Sequence, residues 1–106
     1  MKHHRLDDMT KGWFVGDFSP HVAASKDAEV AIKSYAQGDH EAAHYHAVAT
    51  EITAIVSGRA QMLGREWQAG DIVTIEPGEV TDFTALTDVT TVVVKMPCVA
   101  GDKFMA

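Results

Sequence analysis

The chain has 106 residues, 46% of them apolar and 23% charged, which suits one globular domain with a single core and not a disordered segment. Its formal charge of −6, with nine scattered Lys and Arg residues and no basic cluster, argues against a nucleic-acid partner, because phosphate contacts need grouped cations. The lone cysteine, Cys98, excludes an intrachain disulfide or a zinc–thiolate cluster and fits a cytoplasmic protein; no 18-residue apolar run offers a membrane span, and no apolar stretch follows the opening MKHHR as a signal peptide requires.

Residues 1–28 read as an N-terminal arm packing on the barrel or on a partner subunit, and residues 29–106 as the barrel itself. Within the arm, GWFVGDFSP (12–20) brings together Trp13, Phe14 and Phe18. These aromatics are expected to lie over the open end of the barrel; a patch facing a ligand or partner is the alternative. HVAASKDA (21–28) leaves room for about one helical turn. From residue 29 onward, short runs of Val, Ile and Thr alternate with glycines at 38, 58, 64, 70 and 78. Strands are expected at 29–35, 41–46, 51–57, 59–63, 65–67, 71–75, 80–86 and 90–96. Strands so closely spaced exclude long helices and predict an all-β sandwich or closed barrel. TTVVVKM (90–96) is apolar on both faces, as a strand between two layers is.

Chemistry concentrates in HYHAVATE (44–51). Side chains alternate across a strand, so His44 and His46 share a face, and the chain returns after AVAT to set Glu51 beside them. Two imidazoles and a carboxylate on adjacent strands make a facial triad with open positions for water or substrate. Two histidines in ordinary hydrogen bonds are the other reading of the pair. Tyr35 and Gln61 lie on strands that line or flank the barrel; His40, Glu76 and Glu79 sit near turns and are expected in solvent.

Read outward, the spacing is Gly38, five residues, His44-x-His46, four residues, Glu51, six residues, Gly58. This resembles the first motif of the cupin family, G-x5-H-x-H-x4-E-x6-G, at every fixed position. The segment GDIVTIEPGEVTDF (70–83) resembles the second motif, G-x5-P-x-G-x2-H-x3-N, at Gly70 and Gly78, with Pro77 one place late. The resemblance spans residues 29–97 and implies a double-stranded β-helix, or jelly-roll barrel, with a divalent transition metal (Zn, Mn, Fe, Ni or Co) inside one end. It implies His44, His46 and Glu51 as ligands. The family's third histidine falls on Thr81 and its asparagine on Ala85, so the usual four-residue shell is incomplete. Water in the vacant position, Asp82 brought inward by a bulge, or loss of the metal are the three ways to complete the site.

The resemblance implies a small-molecule substrate and a metalloenzyme of oxygenase or isomerase type, with Glu51 as the catalytic base. A metal-free cupin that binds a small anionic or sugar-like ligand without turnover is the alternative. A sugar-nucleotide isomerase is disfavoured by the absence of a basic cluster for a diphosphate. Cupins of this size pair through a sheet face or an exchanged strand, so a homodimer is expected.

Overall fold

A computed structural model describes residues 1–106, 52% of them in strands and most of the rest in turns, bends and extended connections. After a short 3₁₀ turn at Leu6–Asp8, eleven strands follow: β1 (Trp13–Gly16), β2 (Ala23–Ala24), β3 (Glu29–Tyr35), β4 (His40–Tyr45), β5 (Thr50–Ser57), β6 (Arg59–Met62), β7 (Arg65–Gln68), β8 (Ile72–Ile75), β9 (Thr81–Ala85), β10 (Val89–Met96) and β11 (Phe104–Met105). They form two facing sheets, ordered β2-β1-β3-β10-β5-β8 and β11-β4-β9-β6-β7. From β3 onward the chain passes back and forth between the sheets, which is the winding of a double-stranded β-helix. No helix is long and apolar enough to cross a membrane.

The alternation seen in the sequence sets the layers. On β9, Thr81, Phe83 and Ala85 are buried while Asp82 and Thr84 are not; on β5, Glu51, Thr53 and Ile55 point inward. Ile55, Ala60, Met62, Val73, Ile75, Phe83, Ala85 and Val89 make one buried cluster, with Tyr35 and Trp67 packed against it. Burying each large apolar side chain of this kind contributes about 1.5–3 kcal/mol. Gly58 separates β5 from β6 at φ 85°, and a side chain there would run into the Asp88 carbonyl, so only glycine serves at this corner.

Several expectations change. Residues 21–28 hold no helical turn: Ala23–Ala24 is a strand parallel to β1, and the Ser25 hydroxyl accepts the Asp27 and Ala28 amides. Part of residues 1–28 is built into the larger sheet: β1 pairs with β3, Trp13 opposite Ala31 and Val15 opposite Val30. Its aromatics divide, Trp13 and Phe18 facing the mouth of the barrel and Phe14 the groove beside Leu6, Met9 and Ile32. Gln61 is exposed and points away from the interior.

Candidate functional site

The bulge that shapes the site lies in β4, not in β9. Glu41 stands opposite Phe83 and His44 opposite Thr81, so three steps along β4 match two along β9. The extra residue falls in the alanine pair 42–43 and reverses the strand's parity. Glu41 and His44 thereby both face the interior, although their spacing predicts opposite faces. His40 shares parity with His44 in sequence but lies on the outer side, exposed and bonded to the Thr84 hydroxyl at 2.9 Å.

His44 is 5% exposed, His46 3% and Glu51 9%. His44 Nδ1 lies 2.8 Å from the Ala42 carbonyl oxygen, and His46 Nδ1 contacts the Asp102 carbonyl oxygen. A carbonyl only accepts, so in the neutral ring Nδ1 carries the hydrogen and each Nε2 keeps its lone pair. His46 Nε2 has no hydrogen-bond partner although it is fully buried, and it stands 3.5 Å from Glu51 Oε1. The two imidazole rings are 5.4 Å apart, nearly edge-on. The Thr53 hydroxyl reaches Glu51 Oε2 at 3.4 Å.

Burial pushes the Glu51 carboxyl up, but the adjacent His46 imidazole, with Lys95 and His44, outweighs it and holds the group below the usual range. Glu51 in turn raises the His46 pKa, burial opposes the rise, and the Asp102 contact adds to it.

Asp102 was not singled out by its sequence, where a Gly-Asp pair signals only a turn. Its carboxylate accepts the amides of Ala47, Val48 and Ala49, at 2.8–3.2 Å, and so fixes the turn between His46 and Glu51. Burial favours its neutral form, but those three amides prevail and lower its pKa. The Gly78 amide donates to the His46 carbonyl at 2.7 Å, tying the second motif's turn to the end of β4.

Thr81 is 1% exposed and pairs with His44 across the strands, at the place of the family's third histidine. Its hydroxyl contacts the backbone oxygen of Asp82 at 3.3 Å. Asp82 itself caps the β6–β7 turn, accepting the Leu63 amide at 2.8 Å, and is not brought to the histidines as a fourth ligand. Glu41 was missed as a site residue: Oε1 accepts from Lys33 Nζ at 3.2 Å and from the Tyr35 hydroxyl at 3.0 Å. Burial would raise its pKa; Lys33 first, then Tyr35 and Lys103, bring it below the ordinary value. Tyr35 is shifted up by burial and by Glu41, so its phenol stays protonated.

In donor chemistry, two Nε2 lone pairs and an ionised carboxylate fit a divalent transition metal, and the orphaned His46 Nε2 is what such an ion would satisfy. As placed, no three His, Cys, Asp or Glu side chains converge into a coordination sphere.

No protein-family model matches the chain, and no curated protein matches it. Solved structures do. An uncharacterized conserved protein with a double-stranded β-helix domain from Klebsiella pneumoniae is 26% identical, with a TM-score of 0.71 over 77% of this chain and 72% of that one. This chain has the double-stranded β-helix fold of small cupin-type domains. KdgF from Halomonas has the same fold at 18% identity and a TM-score of 0.65, covering 72% of this chain and 74% of its own. Pac13 of Streptomyces, a nucleoside dehydratase, matches at 16% identity and a TM-score of 0.68, over 77% and 70%.

Proposed function

We propose that this cupin is a metalloprotein that holds one divalent transition metal through His44, His46 and Glu51 and acts on a small molecule. The buried His46 Nε2, which makes no hydrogen bond and has only the Glu51 carboxylate 3.5 Å away, carries the reading, since a buried nitrogen so weakly satisfied favours a ligand. His44, which faces the interior, would complete the set, and water would supply the ligand that Thr81 does not. When bound, such an ion polarises a substrate oxygen and favours the anion that forms there. The chain's own part is positional: the Ala42 and Asp102 carbonyls fix the imidazole tautomers, and Thr53 holds Glu51 Oε2. Glu51, on leaving the metal, would be the base that takes the substrate proton, in the manner of an oxygenase or isomerase site. A Streptomyces neighbour of the same fold was solved with uridine, which is consistent with small molecules as ligands of such barrels.

The test is elemental analysis of protein purified without chelators or metal-affinity steps, beside His46→Ala checked for folding by circular dichroism. Near-stoichiometric metal in the parent and its loss in the folded variant supports the reading. A parent that lacks metal and takes up no Zn²⁺, Mn²⁺ or Fe²⁺ overturns it. That outcome favours a metal-free cupin that binds its ligand without turnover, a reading consistent with Thr81 and with side chains that do not converge as placed.

The partner in this proposal is a second copy. On the outer face, Ile32, Val92, Ala54 and Ile72 stand in register across four strands, beside Val30, Val94 and Ile52. Ile72 is 68% exposed and the others are half-buried, so the Ile72 side of this apolar face is open to be covered by a twin. Light scattering reads the dimer directly, and Val92→Lys is expected to give a folded monomer.

A further inference from the structure

Lysines far apart in sequence meet at the mouth of the barrel. Lys11, Lys33, Lys95 and Lys103, four of the six in the chain, line a cavity of about 350 Å³ beside His44 and His46, with only Glu29 and Glu41 opposing them. In a chain of net charge −6, this is a local excess of the opposite sign. The absence of a basic run in the sequence therefore does not hold in space.

Two of these lysines are held in place. Lys33 and Lys95 side chains are 19% and 16% exposed. Their ammonium groups stand 5.8 Å and 4.9 Å from the centre of the Trp13 indole, which reaches in from β1 and fixes both. Each has a single carboxylate partner, Glu41 at 3.2 Å for Lys33 and Glu29 at 3.1 Å for Lys95. An ammonium carries three donors, so each keeps further N–H groups without a charged partner in a setting largely shielded from water. Simple neutralisation of the two glutamates does not account for the cluster, because Lys11 and Lys103 face the same cavity and form no ion pair of their own. Lys95 is also the cross-strand partner of Glu51, one strand from the candidate metal ligands.

We propose that the mouth recognises a small organic anion, a carboxylate or phosphate ester, whose oxygens are taken by Lys33 and Lys95 over Trp13. This deepens the proposed function, on which it rests for the reacting site, by naming its substrate class. With no arginine among the lining residues, the grip is that of point charges and not of a bidentate fork.

The experiment is isothermal titration of the full chain, metal-loaded and metal-free, with succinate and glycerol 3-phosphate and with their neutral counterparts succinamide and glycerol. Metal content is measured on the same samples. At least one anion is expected to bind saturably, about tenfold or more tighter than its neutral counterpart, because charge-assisted bonds are the strong ones. Lys33→Met and Lys95→Met each weaken that binding about tenfold, while Lys95→Arg and Lys2→Met retain it. Which probe wins separates carboxylate from phosphate. Neutral counterparts binding equally well, lysine variants at parental affinity, or no binding by either anion overturns the inference. Lysine-dependent anion binding by a chain that takes up no metal sustains the anion site while removing the metal reading; stoichiometric metal without anion preference does the reverse.

Discussion

The two ends of this barrel are built from the same strands and do opposite things. Along β5 the inward residues run Glu51, Thr53, Ile55; along β10 they run Lys95, Val93, Thr91, Val89. One end holds His44, His46, Glu41, Glu51 and the lysines, and the other holds the apolar cluster around Ile55, Met62 and Phe83. The apolar end supplies stability through burial and close packing. The polar end draws on it, keeping an imidazole nitrogen buried without a hydrogen-bond partner. A barrel closed at one end by packing can hold reactive groups unsatisfied at the other.

That contrast breaks most sharply at the apolar end. Ile55 is 2% exposed within the cluster, and Ile55→Ala is expected to cost about 2–5 kcal/mol in chemical denaturation, the range for emptying a packed aliphatic site. Metal uptake and anion binding by the folded fraction stay unchanged. A variant that lost ligand binding while still folded would show that the ends are not independent.

Midway along β10, where Thr91 stands opposite Ile55 on β5 and Lys33 on β3, the sign reverses. Thr91 is 1% exposed and its Oγ1 has no hydrogen-bond partner. Valine keeps the shape and removes the orphaned hydroxyl, so Thr91→Val is expected to stabilise the fold by about 1–2 kcal/mol. Thermal melts of the pair decide it, and a destabilised variant would mean that the hydroxyl has a partner in solution.

The sequence made the barrel legible where alternation and glycines agreed, from β3 to β10, and it proposed His44, His46 and Glu51 by spacing. What it hid is physical. The β4 bulge sits at two alanines, 42 and 43, which have no preference for either face, so nothing in the pattern shows that Glu41 turns inward. Strand-length pattern was equally silent on β1, β2 and β11, short edge pieces whose pairing depends on distant partners. The lysines at 11, 33, 95 and 103 become neighbours only through register, and Asp102 gains its role from amides some fifty residues away. The sequence offers Asp82 as an inward ligand, but the unbroken alternation of β9 sends it to the Leu63 turn instead.

Glu41 offers the finest probe of the polar end, because its charge is favoured by neighbours and not by solvent alone. Burial acts to raise its pKa from the ordinary 4.5, and Lys33, Tyr35 and Lys103 bring it below that value. A carboxyl whose folded pKa is depressed stabilises the fold above its unfolded pKa and loses that contribution as pH falls through the folded value. The native chain should therefore exceed Glu41→Gln in thermal stability at pH 7, with the gap closing as pH drops below about 4.5. Its size is small, about 1 kcal/mol or less, since the side chain is 32% exposed and water screens the pair. Melts of both proteins from neutral pH into acid measure it. A gap that persists unchanged into acid would trace the difference to packing of the side chain and not to its charge. A gap that closes on schedule would identify an ionised Glu41 held by Lys33 and Tyr35, the polar end's one carboxylate outside the candidate ligand set that both a lysine and a tyrosine address.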